Sequence, residues 1–337
     1  MTSSVFLKSV AYRAAWYALP VLSPLRKKDS PEGVGVLMTH GVYPTARIRG
    51  VPVPVSSVLL RVMETNLRKL RGFSFVSIEE AEGMINGTLP MRKQCLVLTF
   101  DESLKAHLEV VAPKLKEWGI PATFYISTEI IETKRPYWWL RLEYAVSKIE
   151  KTPVSATMPN GEKVMIDPAQ KWEMRRKISV RLFGSSKPAE CDKVAESVES
   201  QLGIDWREIG NDSPYAASLT WDDVRELSCM GFTIGSHTHS HPNATLLDAE
   251  ELRFEFEGSK NILEKQCGQP CRHLSYPHGK YSERVCKAAR AAGYATAVTT
   301  DFTLWNPKGS DPFRLHRIAI PKMDYKLPVV LSGLRNL

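Results

Sequence analysis

His237, His239 and His241 alternate within Gly235-Ser236-His237-Thr238-His239-Ser240-His241-Pro242. Far upstream, the apolar run Leu98-Thr99-Phe100 ends in two adjacent carboxylates, Asp101 and Glu102. Neutral imidazole nitrogens and a carboxylate oxygen form the ligand set of a hydrolytic zinc-type centre with open positions for water and substrate. A neighbouring carboxylate that stays off the ion can serve as general base. His237 and His241 are four residues apart, just after a predicted strand. In a helical or looped continuation their side chains share a face and can converge on one ion. His239, between them, then points elsewhere.

These residues need a frame that gathers distant segments. Apolar, β-rich runs predict strands at 34–38, 95–100, 122–127, 232–235, 274–276, 295–299 and 317–320. Helical spacing and end signals predict helices at 56–70, 107–118, 221–230, 249–267 and 282–292, with Gly119 closing the second and Thr220 capping the third. Such alternation implies an α/β fold with parallel pairing and right-handed crossovers. In closed β/α barrels the active groups gather at the C-terminal ends of strands. Asp101, Glu102, the histidines and Pro277-His278-Gly279 all follow predicted strands. His40 ends the first strand and faces the same end.

The rhythm breaks over 135–217, which reads as a mostly helical insertion. It opens on the aromatic cluster Tyr137-Trp138-Trp139 and carries a predicted hairpin at 154–166 with Asn160-Gly161 as its turn. The chain therefore divides into an N-terminal arm (1–33), a first barrel part (34–134), the insertion (135–217), a second barrel part (218–325) and a tail (326–337). No short internal repeat is visible.

The net charge of +8 would suit an acidic partner. The basic residues are dispersed, however, with no ribbon of Lys/Arg interleaved with aromatics, and this argues against nucleic acid. Six cysteines in 337 residues are too sparse for a disulfide framework, so reduced thiols and a cytoplasmic location are expected. Lys8 and Arg13 interrupt the apolar arm, which excludes a spanning helix and gives no clear signal peptide. Two readings of the arm stay open. It packs on the domain, or it lies as an amphipathic helix on the inner membrane face, with Arg26, Lys27 and Lys28 toward anionic lipid. Oligomeric state is not legible.

Together the motifs resemble the polysaccharide deacetylases of carbohydrate esterase family four, the NodB-homology domain. Thr99-Phe100-Asp101-Glu102-Ser103 is similar to their first motif, Thr-Phe-Asp-Asp-Gly. Ser236-His237-Thr238-His239-Ser240-His241-Pro242 resembles the second, His-Ser/Thr-x-x-His. Leu274-Ser275-Tyr276-Pro277-His278-Gly279 resembles a variant third, Tyr-Pro-Tyr-Gly. The contexts Gly119-Ile120-Pro121-Ala122-Thr123-Phe124-Tyr125 and Leu219-Thr220-Trp221 also fit, and the resemblance covers about 34–130 and 218–321.

The resemblance implies a distorted β/α barrel of about seven parallel strands. It implies a metal-dependent hydrolase removing N-acetyl groups from an amino sugar of a polysaccharide or lipid-linked glycan. Glu102, His237 and His241 would hold a divalent metal, Zn2+ first, with Co2+, Ni2+ or Fe2+ as alternatives. Asp101 would be the general base for metal-activated water, and the His278 N–H would face the oxyanion. Family members often draw the general acid from a Leu-x-His motif. His316, directly after Leu315, and His278 are the candidates here.

Four departures stand out. Glu102 replaces an Asp, and its extra methylene moves the carboxylate by about 1.5 Å. The backbone must then shift, the ion must be held differently, or binding is lost. Ser103 replaces a Gly, and His278 an aromatic. Ser275 stands where many members carry an Arg on the base, and Arg317 is expected to orient Asp101 instead. Tyr276 and Trp305 could stack on sugar rings, although core packing is the commoner role of such residues. Two other functions remain open: a catalytically silent glycan-binding or assembly protein on the same barrel, and a metal O-acetyl esterase.

Overall fold

A computed structural model describes residues 32–322, apart from 49, 50, 55, 71 and 213. Most of the N-terminal arm (1–31) and the tail (326–337) lie outside the described residues, so the membrane-contact reading of the arm does too. Among the described residues no helix is long and apolar enough to cross a membrane.

The core is a curled parallel sheet. Its strands are β1 (Val34–Thr39), β2 (Ser74–Phe75), β3 (Cys95–Asp101), β4 (Ala122–Ile126), β5 (Thr233–Ser236), β6 (His273–Ser275), β7 (Thr296–Val298) and β8 (Ile318–Ala319). Seven run in the order β7-β6-β5-β4-β3-β1-β8, and short β2 pairs with β3. β3 is central because it is apolar on both faces; all seven of its residues are buried, as expected of a parallel strand covered on both sides. Its first residues, Cys95 and Leu96, pair with β2, and Leu98 to Asp101 pair with β4.

The two ends of the sheet are joined by one segment. Leu315 bridges Val298 of β7, and three residues later Ile318 pairs with Leu37 of β1. This closes the distorted β/α barrel expected from the sequence. The parallel register places Asp101, Ser236 and Ser275 at the same, C-terminal rim.

Helices cover the outside: α1 (Ala112–Trp118), α5 (Trp221–Cys229), α6 (Ser259–Cys267) and α7 (Glu283–Ala291). Thr220 caps α5 in a reciprocal box with Asp223. The predicted single helix at 249–267 is broken. An α-helical turn, Ala249–Arg253, runs through a π-helical turn, Phe254–Gly258, before α6. A second π-turn, His107–Val111, precedes α1.

Between β4 and α5 lie α2 (Trp138–Ser147), α3 (Lys171–Ser185) and α4 (Pro188–Gln201). The antiparallel pair Val154–Thr157 and Lys163–Ile166 joins the first two of these, with Gly161 at φ +83 in its turn. These elements bury their own apolar cluster, including Leu142, Ala145, Val194 and Val198. Arg141 is fully buried within it, held by Glu199 and Asp192.

Candidate active site

Asp101 ends β3 with its carboxylate buried. Arg317, just before β8, forks onto it: Nη1 donates to Oδ1 and Nη2 to Oδ2, both at 2.7 Å. The guanidinium is itself fixed by Nε donating to the Thr299 carbonyl at 2.8 Å and Nη2 donating to Ser275 Oγ at 3.1 Å. The small Ser275 thus leaves room for an arginine arriving from another strand, and its hydroxyl also donates to Asp101 Oδ2 at 3.3 Å. Burial alone would raise the Asp101 pKa. The Arg317 charge, then His237 and the forked hydrogen bonds, outweigh it and hold the carboxyl well below the usual range.

His237 follows β5. Its Nδ1 lies 2.8 Å from the Ser275 carbonyl, so Nδ1 carries the proton and Nε2 keeps its lone pair. His241 has φ +60 and brings its ring to 4.7 Å from His237. Its Nδ1 is buried without a partner. Burial first lowers the pKa of both rings; the His237 and His278 rings depress His241 further, whereas Asp101 opposes the shift at His237. His239 turns away to Thr128 Oγ1 at 2.7 Å, as its intermediate position required.

The third-motif turn Pro277–Gly279 holds His278 at φ +58, with its ring 4.7 Å from His241. Gly279 is obligatory: φ is +64, and a Cβ there would come within 2.5 Å of the Thr300 backbone nitrogen. His278 is pulled down to about 3, by burial first and then by His237 and His40. His40 also belongs to this cluster. Burial lowers it to about 4 against the pull of Asp101.

A buried charged carboxylate, a cluster of neutral imidazoles and a rim position at strand ends form a site suited to proton transfer and cation binding. Known proteins resemble this chain over part of its length. A family profile described as Polysaccharide deacetylase matches residues 188–297. Bacillus subtilis YxkH is 30% identical over 112 residues, covering 33% of this chain and 40% of that protein. The Bacillus subtilis peptidoglycan-N-acetylmuramic acid deacetylase PdaA is 30% identical over 91 residues, covering 26% of this chain and 35% of that protein. Over about a third of its length the chain is therefore similar to polysaccharide deacetylases.

The chain thus spans only about two fifths of these curated relatives, while solved folds match over much more. The Streptococcus pyogenes deacetylase PplD in complex with acetate has a TM-score of 0.58 at 20% identity, covering 89% of this chain and 98% of that one. IcaB from Ammonifex degensii has a TM-score of 0.58 at 16% identity, covering 90% and 98%. At such identities the shared feature is the fold.

Against the family pattern, the expected metal triad is only partly gathered. His237 and His241 meet, but among the described residues no three His, Cys, Asp or Glu side chains are grouped to hold one ion. Glu102 adopts φ +79, and its buried carboxyl adds to burial in pushing up the Tyr43 and Tyr137 hydroxyls. Burial, then the Asp101 charge, raise its pKa well above the usual range. The left-handed residue of this turn is therefore Glu102, and Ser103 is accommodated without positive φ, its N–H donating to Tyr137 Oη at 3.1 Å.

His316 is not brought to the site. It neighbours Arg317, and successive side chains on an extended segment face opposite ways. Its backbone N–H bonds Asn306 Oδ1 at 2.9 Å, and its Nδ1 has no partner. Tyr276 is fully buried beside Cys286, and Trp305 stacks on Phe73, so both pack the fold.

Two further contributions come from outside the three motifs. First, the insertion walls the site: Trp139 of α2 lies 4.7 Å from His241, and Phe183 of α3 lies 4.5 Å from His278. The Tyr137-Trp138-Trp139 cluster signalled the first, whereas nothing local marked Phe183. Second, Glu255 clamps the histidine loop. Its Oε2 accepts the His239 and Ser240 N–H groups at 2.8 and 2.9 Å, and its Oε1 accepts the Ser240 hydroxyl at 2.5 Å. The π-turn at Phe254–Gly258 carries that carboxylate.

Proposed function

We propose that the protein is a metal-dependent hydrolase that removes N-acetyl groups from an amino sugar of a polysaccharide or lipid-linked glycan. The observation carrying this reading is the Asp101–Arg317 fork beside the paired His237 and His241 rings. The unpartnered His241 Nδ1 and the free Nε2 of His237 suit a divalent ion, with Glu102 as the third ligand that the family pattern supplies. When bound, the ion would provide water of lowered pKa and polarise the acetyl carbonyl.

Asp101 takes the proton of the attacking water. Arg317 holds both carboxylate oxygens and so fixes their direction. A carboxyl held so low is a weak base, but once protonated it is a strong acid. Asp101 is thus suited to return that proton to the departing amine. His278 is less suited, because its ring is kept neutral. Trp139 and Phe183 exclude water from the imidazole cluster.

The test is acetate release from chitooligosaccharides and bacterial glycan, together with elemental analysis of bound metal. Acetate release proportional to enzyme, with bound metal, is the expected result. The ungrouped Glu102 favours a second reading, a glycan-binding barrel without turnover. Stoichiometric metal with no acetate from any glycan would select it. Paired ester and amide substrates separate N- from O-deacetylation.

A further inference from the structure

Tyr137 stands at the start of the insertion, immediately before α2, and is buried. Its hydroxyl reaches across to the barrel. It accepts the Ser103 N–H at 3.1 Å, in the turn that follows β3. That N–H belongs to the peptide plane joining Glu102 to Ser103, so its direction follows the Glu102 backbone. Glu102 stands there at φ +79, a region that a residue with a side chain adopts at a cost. The hydrogen bond from Ser103 to Tyr137 thus helps to fix the backbone that aims the Glu102 side chain. Ser103 is fully buried, so without the Tyr137 hydroxyl its N–H would lose its acceptor out of reach of water.

The Tyr137 ring faces the histidine loop. It meets the His241 ring in a T-shaped arrangement at 5.5 Å and stacks on Trp139 at 4.4 Å. The turn that Tyr137 holds is also tied to His237. Ser103 Oγ donates to the Ser127 carbonyl and accepts the Ser127 N–H, both at 2.9 Å. Ser127 Oγ in turn donates to the His237 carbonyl at 3.1 Å. A tyrosine that only packs a core can satisfy its hydroxyl on any nearby acceptor or donor. This one places it on the peptide beside Glu102 while its ring backs His241.

We propose that Tyr137 is a positioning residue for the divalent ion, its hydroxyl holding the Glu102–Ser103 peptide and its ring backing His241. The insertion then tunes the affinity of a site whose ligands all come from the barrel. The inference rests on the reading of Glu102, His237 and His241 as metal ligands, and it adds a residue from outside the barrel.

The experiment titrates metal-free protein with Co2+ and reads the visible absorption and the melting temperature of the wild type, Tyr137→Phe and Tyr144→Phe. Tyr144 is also buried in α2, but its ring lies against Lys148, so it serves as the control. Tyr137→Phe keeps the ring and removes the acceptor. It should weaken Co2+ binding by about tenfold, the scale on which groups that orient metal ligands act. Tyr144→Phe should leave the affinity unchanged. A lower melting temperature in Tyr137→Phe with undiminished Co2+ affinity would show a packing role and overturn the proposal. Should the wild type take up no Co2+, the metal reading fails and this proposal with it, whereas an unaffected Tyr137→Phe leaves the metal reading standing. If Tyr137→Phe does not fold, amide hydrogen exchange of the wild type decides. Saturating Zn2+ should slow the Ser103 amide by about tenfold, because the coupling is reciprocal. An unchanged rate refutes the proposal.

Discussion

Two arginines in this molecule are buried to the same degree and do different things. Arg141 sits in the insertion between two carboxylates, Glu199 and Asp192, and its charge is fully answered. Among the described residues Arg317 has only Asp101 as ionic partner and otherwise leans on a carbonyl and two hydroxyls. Around Arg141 the polar network is closed. Around Arg317 it stays open, because Nδ1 of His241, in the neighbouring imidazole cluster, is buried without a partner. A satisfied network stabilises a fold; one with capacity left over can act on something else.

The comparison can be broken most directly at the carboxylates. Asp101→Asn should reduce acetate release by about 10³-fold or more, whereas Glu199→Gln should leave the specific activity of folded protein within about twofold. Comparable loss in both would erase the distinction. The arginines come next. Arg317→Met and Arg141→Met should each lower unfolding free energy by about 3–5 kcal/mol in denaturant titrations, because each strands a buried carboxylate. Only Arg317→Met should also depress turnover per folded molecule.

A smaller effect is expected at the clamp. Glu255→Ala should destabilise by about 1–3 kcal/mol and speed hydrogen exchange at the His239 and Ser240 amides, since their buried donors lose an acceptor. Glu255→Gln keeps an acceptor oxygen and should recover most of the protection. If exchange at these amides is unchanged in Glu255→Ala, the loop is held by other bonds.

The smallest effect concerns the N-terminal foot of the barrel, where charge serves stability alone. Glu79 faces His273 and accepts from Thr233 Oγ1 at 2.8 Å. Burial raises its pKa, but the close approach of His273, with Nε2 at 3.5 Å, outweighs this and brings it from 4.5 to about 2. A depressed folded pKa contributes stability that is present above 4.5 and lost as pH falls toward 2. Glu79→Gln should therefore flatten the acid limb of the melting temperature over that interval. An unaltered limb would show that the pair does not form in solution.

The site was legible in the sequence where its chemistry is local. The Asp101-Glu102 pair after an apolar run and the alternating histidines need only strand periodicity to be read. Arg317 was legible as a partner for Asp101 because Ser275 left that position empty. The same periodicity could have removed His316, since it and Arg317 cannot face one way. Glu255 and Phe183 were not legible. The former depends on a π-turn that shifts a helix by one residue, and the latter lies in a largely polar helix whose direction only packing determines. Glu102 shows a third limit. Its type predicts a ligand, but the backbone angle that directs its carboxyl follows from the turn as a whole.

The segment from Leu315 to Ala319 both seals the barrel and delivers the guanidinium to Asp101. During synthesis Asp101 leaves the ribosome 216 residues before that counter-charge. Until the late segment arrives, the carboxylate has no reason to leave water, and the outer edges of β1 and β7 remain open to other strands. A nascent chain stalled before this point would be an aggregation hazard with the Asp101 carboxylate still unpaired. Completing the cylinder and pairing that carboxylate are one event.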